Sequence, residues 1–236
     1  MDTTHALCLL PLAAVLLAAA DPSWQHKPIS QWDAEDAKQL LADSPWVKHP
    51  TPHWLPDLSP FQREDGGNLN EGVGKGVGLA GTGLLGHRRE IAAIKNARTK
   101  PPLDPVMVRW ESALPVRIAE RKAGETGAPV LTPYDYAIAV YDIPVSKPAA
   151  RAVILKSAAF LRRDQKKDIK PSRVEILRHD DGTATILYFF PGSIEITRND
   201  RTVEFAAQIG RQWVSQFFDT AEMRIQGEPQ LSMPND

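Results

Sequence analysis

Between Pro50 and Pro105 the chain offers little to a hydrophobic core. The stretch opens with Pro50, Pro52, Pro56 and Pro60, passes through Gly66-Gly67, and then places glycine at 72, 74, 76, 78, 81, 83 and 86. Glycine raises the entropy cost of ordering a backbone and has no side chain to bury in return. Compact domains seldom hold structureless connections of this length. The fold must therefore be assembled from the two flanks. Residues 62–104 are expected to form a flexible Gly-rich loop and basic segment, with a short helix over 87–100 that carries Ile91 and Ile94 on one side.

The downstream flank has the periodicity of strands. Val106, Val108 and Trp110 alternate with Arg109 and Glu111, and Tyr136, Ile138 and Val140 share a face over 134–142. The runs 173–178 and 183–190 are separated by Asp181-Gly182, which favours a tight turn with positive φ and hence a β-hairpin. The second run is apolar on both faces (Ile186 and Tyr188, Leu187 and Phe189), the mark of a central strand. Val203 to Ile209 and Trp213 to Phe218 add two strands around a turn or bulge at Gly210, and 158–163 adds another. Residues 114–122 and 149–156 read as short helices, and the tail after Gly227, with Pro229 and Pro234, is expected to fray.

The upstream flank is shorter. Asp33 is a credible N-cap with Asp36 three residues on, and Trp32 and Ala37 occupy the staple positions. Ala34, Ala37, Leu40 and Leu41 then give an apolar stripe over a helix at 31–43, which Pro45 stops. Trp46-Val47 begins a strand.

Upstream of that helix, Ala6 to Ala20 is uncharged and rich in leucine and alanine. It is shorter than the roughly 20 apolar residues needed to span a bilayer. It suits a signal-peptide core, with Ala18-Ala19-Ala20 ahead of a cleavage point between Ala20 and Asp21. The segment before it carries no Lys or Arg. The single cysteine, Cys8, would leave with the signal, so the mature chain would be cysteine-free, without disulfide, thiolate nucleophile or cysteine-held metal. No later stretch is long and apolar enough to span a membrane, and a formal charge of −1 gives no overall field towards nucleic acid.

Motifs that carry chemistry fail on context. Gly76 to Gly81 and Gly81 to Gly86 both match GxGxxG, yet no strand precedes them, and Gly76 stands where a P-loop needs Ser or Thr. No cofactor is expected. The histidines beyond the signal segment, His26, His49, His53, His87 and His179, are scattered, so no metal site is expected. Gly192-Ser193-Ile194 lacks the second glycine of a nucleophile elbow, and turn chemistry accounts for Asp180-Asp181 after His179. No residue is assigned a catalytic role.

Two surfaces are weighed for binding. Arg162, Arg163, Lys166, Lys167, Lys170 and Arg173 form a basic cluster that could meet an anionic polysaccharide or an envelope component. Without aromatic platforms beside it in sequence, it reads better as a solvated connection, and nucleic acid is not expected. Arg109 and Glu111 beside Trp110 form a weak candidate binding face, read first as a cross-strand ion pair on a solvated face.

Ser44-Pro45-Trp46, Val108-Arg109-Trp110-Glu111-Ser112-Ala113, Val203-Glu204-Phe205 with Ile209-Gly210, and Phe218 with Met223 and Gly227 resemble a group of exported bacterial proteins of acidobacterial type. The resemblance spans about Trp32 to Leu231. The group has no assigned activity, so it implies no catalytic residues. Thr220 and Pro229 stand where leucines belong in the group, which puts the last strand in question. The resemblance implies that the Trp46 strand pairs with the Val106 strand across the glycine segment.

The expected fold is α+β: an antiparallel sheet of about six or seven strands with a few short helices. The expected organisation is a signal peptide at 1–20, an N-terminal helix and first strand at 21–61, the Gly-rich loop at 62–104, the sheet domain at 105–231 and a disordered tail at 232–236. The expected location is secreted or periplasmic. The functional reading leans away from an enzyme, towards a binding or interaction domain. The alternatives are an extracytoplasmic hydrolase and an envelope-associated structural protein.

Overall fold

The structure is a computed structural model that describes residues 21–55, 101–131, 135–144, 152–197, 199–225, 228–229 and 231. The expected signal segment, the glycine tract, the helix over 87–100 and the tail at 232–236 lie outside the described residues.

Four α-helices are described: α1 (Ser23–His26), α2 (Ala34–Ala42), α3 (Leu114–Ala123) and α4 (Ala152–Ser157). The strands are β1 (Val47–Lys48), β2 (His53–Trp54), β3 (Val108–Trp110), β4 (Tyr136–Pro144), β5 (Ala159–Arg163), β6 (Arg173–Arg178), β7 (Thr183–Phe190), β8 (Thr202–Ile209), β9 (Gln212–Asp219), β10 (Arg224–Ile225) and β11 (Glu228–Pro229).

The fold is α+β and its strand pairs are antiparallel, but the strands do not form the single sheet expected. They divide into a five-stranded sheet, β1-β3-β4-β7-β6, a four-stranded sheet, β2-β9-β8-β5, and the small β10-β11 ribbon. Alternation fixes which residues share a face, not which sheet a strand joins. The inner faces of the two larger sheets bury one continuous core. Trp110 meets Phe218 edge-on at 5.2 Å and Tyr188 meets Phe205 at 5.3 Å, both across the gap between sheets.

Local chemistry sets the elements. The β6–β7 hairpin closes with the Gly182 amide donating to the His179 carbonyl at 3.2 Å. Gly182 takes φ +84°, a left-handed conformation that costs glycine nothing. The His179 amide donates to the Thr183 carbonyl at 2.9 Å, so the loop proper is Asp180-Asp181-Gly182. β7 lies between β4 and β6 and is buried along nearly its whole length, as a strand apolar on both faces requires. Asp33 caps α2, accepting from the Glu35 and Asp36 amides at 2.9 and 2.8 Å, while the Asp36 carboxylate accepts from the Asp33 amide at 3.1 Å. This is a reciprocal capping box.

Val47 pairs with Arg109 and Lys48 with Val108, which is the pairing the resemblance implied. Five residues beyond Lys48, His53 pairs with Trp213 in the other sheet. The N-terminal flank therefore contributes an edge strand to both sheets.

The chain beyond Gly227 is not frayed throughout. Glu228–Pro229 pairs with β10, and Leu231 is buried. Its carbonyl accepts from Trp110 Nε1 at 2.9 Å and Ser112 Oγ at 2.7 Å.

Candidate functional site

Arg109, Trp110 and Glu111 do not make one surface. Trp110 faces the core between the sheets, whereas Arg109 and Glu111 point to the opposite side of the five-stranded sheet. That side is not solvated at this point. Arg109 is 1% exposed and Glu111 fully buried, because α3 lies over them. Pro115 stands in the first turn of this helix, and Gly124 ends it at φ +69°, turning the Glu125 amide back to the Glu120 carbonyl at 2.9 Å.

The helix brings further charges to the pair. Arg109 Nε donates to Glu111 Oε1 at 2.5 Å and Arg109 Nη2 to Glu120 Oε1 at 2.9 Å, with Glu125 3.3 Å from Nη1. Arg117 pairs with the other oxygen of Glu120. Tyr141, next to a bulge in β4 where Asp142 takes φ +54°, donates to Glu111 Oε1 at 2.5 Å. Burial, the Glu111 carboxylate and a hydrogen bond with Glu111 push the Glu120 carboxyl up to about 9. Burial lowers the Arg109 guanidinium but Glu111 outweighs it, so the cation is held. Two guanidinium groups, of Arg109 and Arg117, thus meet a carboxyl group that burial and Glu111 push towards its protonated form. The cluster seats a helix on a sheet, so the expected solvated ion pair becomes a sealed network.

A different region presents an opening. A groove of about 830 Å³ is lined by Pro22, residues 24–28 and 43–45, Lys48, Glu222, Arg224 and Ile225. One lining residue, Trp24, belongs to a tryptophan cluster, 6.2 Å from Trp32 and 6.0 Å from Trp46. The Trp32 indole fixes the α1 turn by donating to the Trp24 and Lys27 carbonyls at 3.0 and 3.2 Å. Two lining residues, Trp24 and Ser44, are only 5% and 6% exposed, and among the described residues neither Trp24 Nε1 nor Ser44 Oγ has a hydrogen-bond partner. Buried polar groups are normally paired, so each unpaired one calls for an explanation.

Asp21 stands one residue outside this groove, its carboxylate 4.0 Å from His26 Nε2, while Ala20 lies outside the described residues. Ser23, Lys27 and Asp36 meet beside it. The Ser23 hydroxyl donates to Asp36, and Lys27 Nζ lies 2.7 Å from the other carboxylate oxygen. The Lys27 and Ser23 hydrogen bonds hold the Asp36 carboxyl down at about 2. So weak a base does not activate a serine, and the trio anchors α1 to α2.

The basic cluster is largely used internally. Arg162 pairs with Asp168 at 3.2 Å and Glu204 at 3.4 Å, Lys166 with Asp200 at 2.6 Å, and Lys170 lies 5.3 Å from the Phe160 ring centre. Aromatic rings do lie beside it: Phe160, in the same strand as Arg162, packs against Trp213 of β9 at 6.0 Å, and Phe217 of β9 sits opposite Glu204. His49 bonds the Ala42 carbonyl at 3.0 Å and His179 bonds Thr185 at 2.9 Å. Among the described residues no three His, Cys, Asp or Glu side chains gather closely enough to hold a metal ion.

Sequence reasoning missed the groove because three distant segments build it, and none carries a motif. The Ser-Pro-Trp word at 44–46 was its single local trace. Comparison with family models, curated proteins and solved structures yields no match.

Proposed function

We propose that this chain is an exported, non-enzymatic binding domain whose ligand occupies the groove between α1, the α2–β1 connection and β10. The observation that carries the reading is that two residues lining this groove, Trp24 and Ser44, hold buried side-chain polar atoms, Nε1 and Oγ, without a hydrogen-bond partner among the described residues. A buried polar group left unpaired costs about 1–3 kcal/mol, and a ligand that bonds it recovers this. The volume lies within the range of roughly 300–1,000 Å³ typical of small-ligand sites. Export rests on the uncharged run Ala6 to Ala20 and its small-residue end.

Fractionation of the native host with N-terminal sequencing tests the compartment: a mature chain starting at Asp21 is expected outside the cytoplasm. A thermal-shift screen of amino acids, peptides, sugars and phosphates tests the groove. At least one class should raise the Tm of the wild type and fail to raise that of Trp24→Phe and Ser44→Ala. If every hit stabilises all three proteins equally, the groove is not the site.

A further inference from the structure

The charges around the groove are arranged in two mixed pairs. Asp43 follows α2 and Lys48 ends β1, while Glu222 precedes β10 and Arg224 begins it. Among the described residues none of these four makes an ion pair; Arg224 Nε donates only to the Thr220 carbonyl, at 3.4 Å. Lys27, by contrast, is already held by Asp36 at 2.7 Å and Asp33 at 3.7 Å. Each of the two segments thus offers one free cation and one free carboxylate.

A ligand of one sign would meet like charge on both sides, which specific sites use to reject wrong partners. A ligand of both signs can answer all four groups. The neutral donors fit the same pattern. An indole N–H can only donate, so Trp24 calls for a carbonyl or carboxylate oxygen, and the Ser44 hydroxyl can accept from an amide N–H or donate. Pro22, Pro28, Pro45 and Ile225 add apolar contact between these polar points.

Resting on the reading of the groove as a binding site, we infer that its ligand is a short peptide with both ends free. The α-carboxylate pairs with Lys48 or Arg224, the α-ammonium with Asp43 or Glu222, and the peptide groups lie along Trp24 and Ser44.

Equilibrium dialysis of the purified protein against a random-sequence tripeptide pool tests this. The pool is offered in three forms: unblocked, N-acetylated and C-amidated. The unblocked pool should be retained about tenfold better than either blocked pool, a ratio worth ~1.4 kcal/mol. Lys48→Met with Arg224→Met should weaken retention of the unblocked pool and leave the C-amidated pool unaffected. Asp43→Asn with Glu222→Gln should do the same with respect to the N-acetylated pool. Equal retention of all three pools overturns the inference. So does the absence of retention when another compound class still acts through Ser44, a result that leaves the groove reading standing. If no class acts through Trp24 or Ser44, the groove reading falls as well.

Discussion

Arg109 and Glu111 lie two residues apart on one strand and bond each other at 2.5 Å with both side chains sealed from water. The same spacing recurs in Arg173 and Glu175, 2.9 Å apart but 39% and 44% exposed. Burial separates the two cases. Breaking a buried pair leaves an uncompensated charge and costs about 3–5 kcal/mol, whereas an exposed pair is worth about 0–1 kcal/mol. Arg109→Met is therefore expected to lower urea stability by several kcal/mol, and Glu175→Gln to change it hardly at all. Similar midpoints for the two variants would contradict the sealed network.

Glu120 makes stability fall as pH rises from about 4.5 towards 9. Its folded-state value of about 9 stands above the ordinary 4.5, so the folded state keeps a proton that the unfolded chain loses. The contribution is complete below about 4.5 and declines as pH rises towards 9. Urea unfolding from pH 5 to 9 should show this decline in the wild type and a flatter profile in Glu120→Gln, which keeps a neutral side chain in place. Parallel profiles would show that Glu120 ionises normally.

Asp36 acts at the other end of the scale. Lys27 and Ser23 depress it from 3.8 to about 2, so its contribution is present above 3.8 and lost as pH falls towards 2. Asp36→Asn should weaken the acid limb of the stability profile and leave the alkaline limb as in the wild type. Circular dichroism between pH 2 and 5 measures it; an unchanged acid limb would rule out the anchoring role of the Ser23–Lys27–Asp36 trio.

These three groups show what was legible in the chain. The Asp33–Asp36 cap, the β6–β7 hairpin and the central position of β7 could be read because each depends on neighbours in sequence. Arg109 and Glu111 could be placed on one face by alternation, but not under a helix. Their burial depends on Arg117 and Glu120, which lie in the next element, and on Tyr141, thirty-two residues beyond Arg109. The division into two sheets was illegible for the same reason: period two says nothing about the partner sheet. The groove joins Trp24, Ser44 and Arg224, which no local pattern relates.

The C-terminal strand end also has a measurable role. Truncation after Gly227 removes the Leu231 carbonyl that accepts from Trp110 Nε1 and Ser112 Oγ, leaving two buried donors without it. Each unpaired group costs about 1–3 kcal/mol. A Tm lowered by several degrees is expected by calorimetry, and an unchanged Tm would mean that the contact contributes nothing.

The Trp54 indole donates to the Pro101 carbonyl at 2.8 Å across 47 positions of sequence, while Val106 bonds back to Pro50 at 3.0 Å. The chain departs and returns through one doorway. With Trp54 tied to Pro101 and Val106 to Pro50, the two sides of that doorway are stapled to each other as well as to their sheets, so a change that loosens one flank is felt by the other.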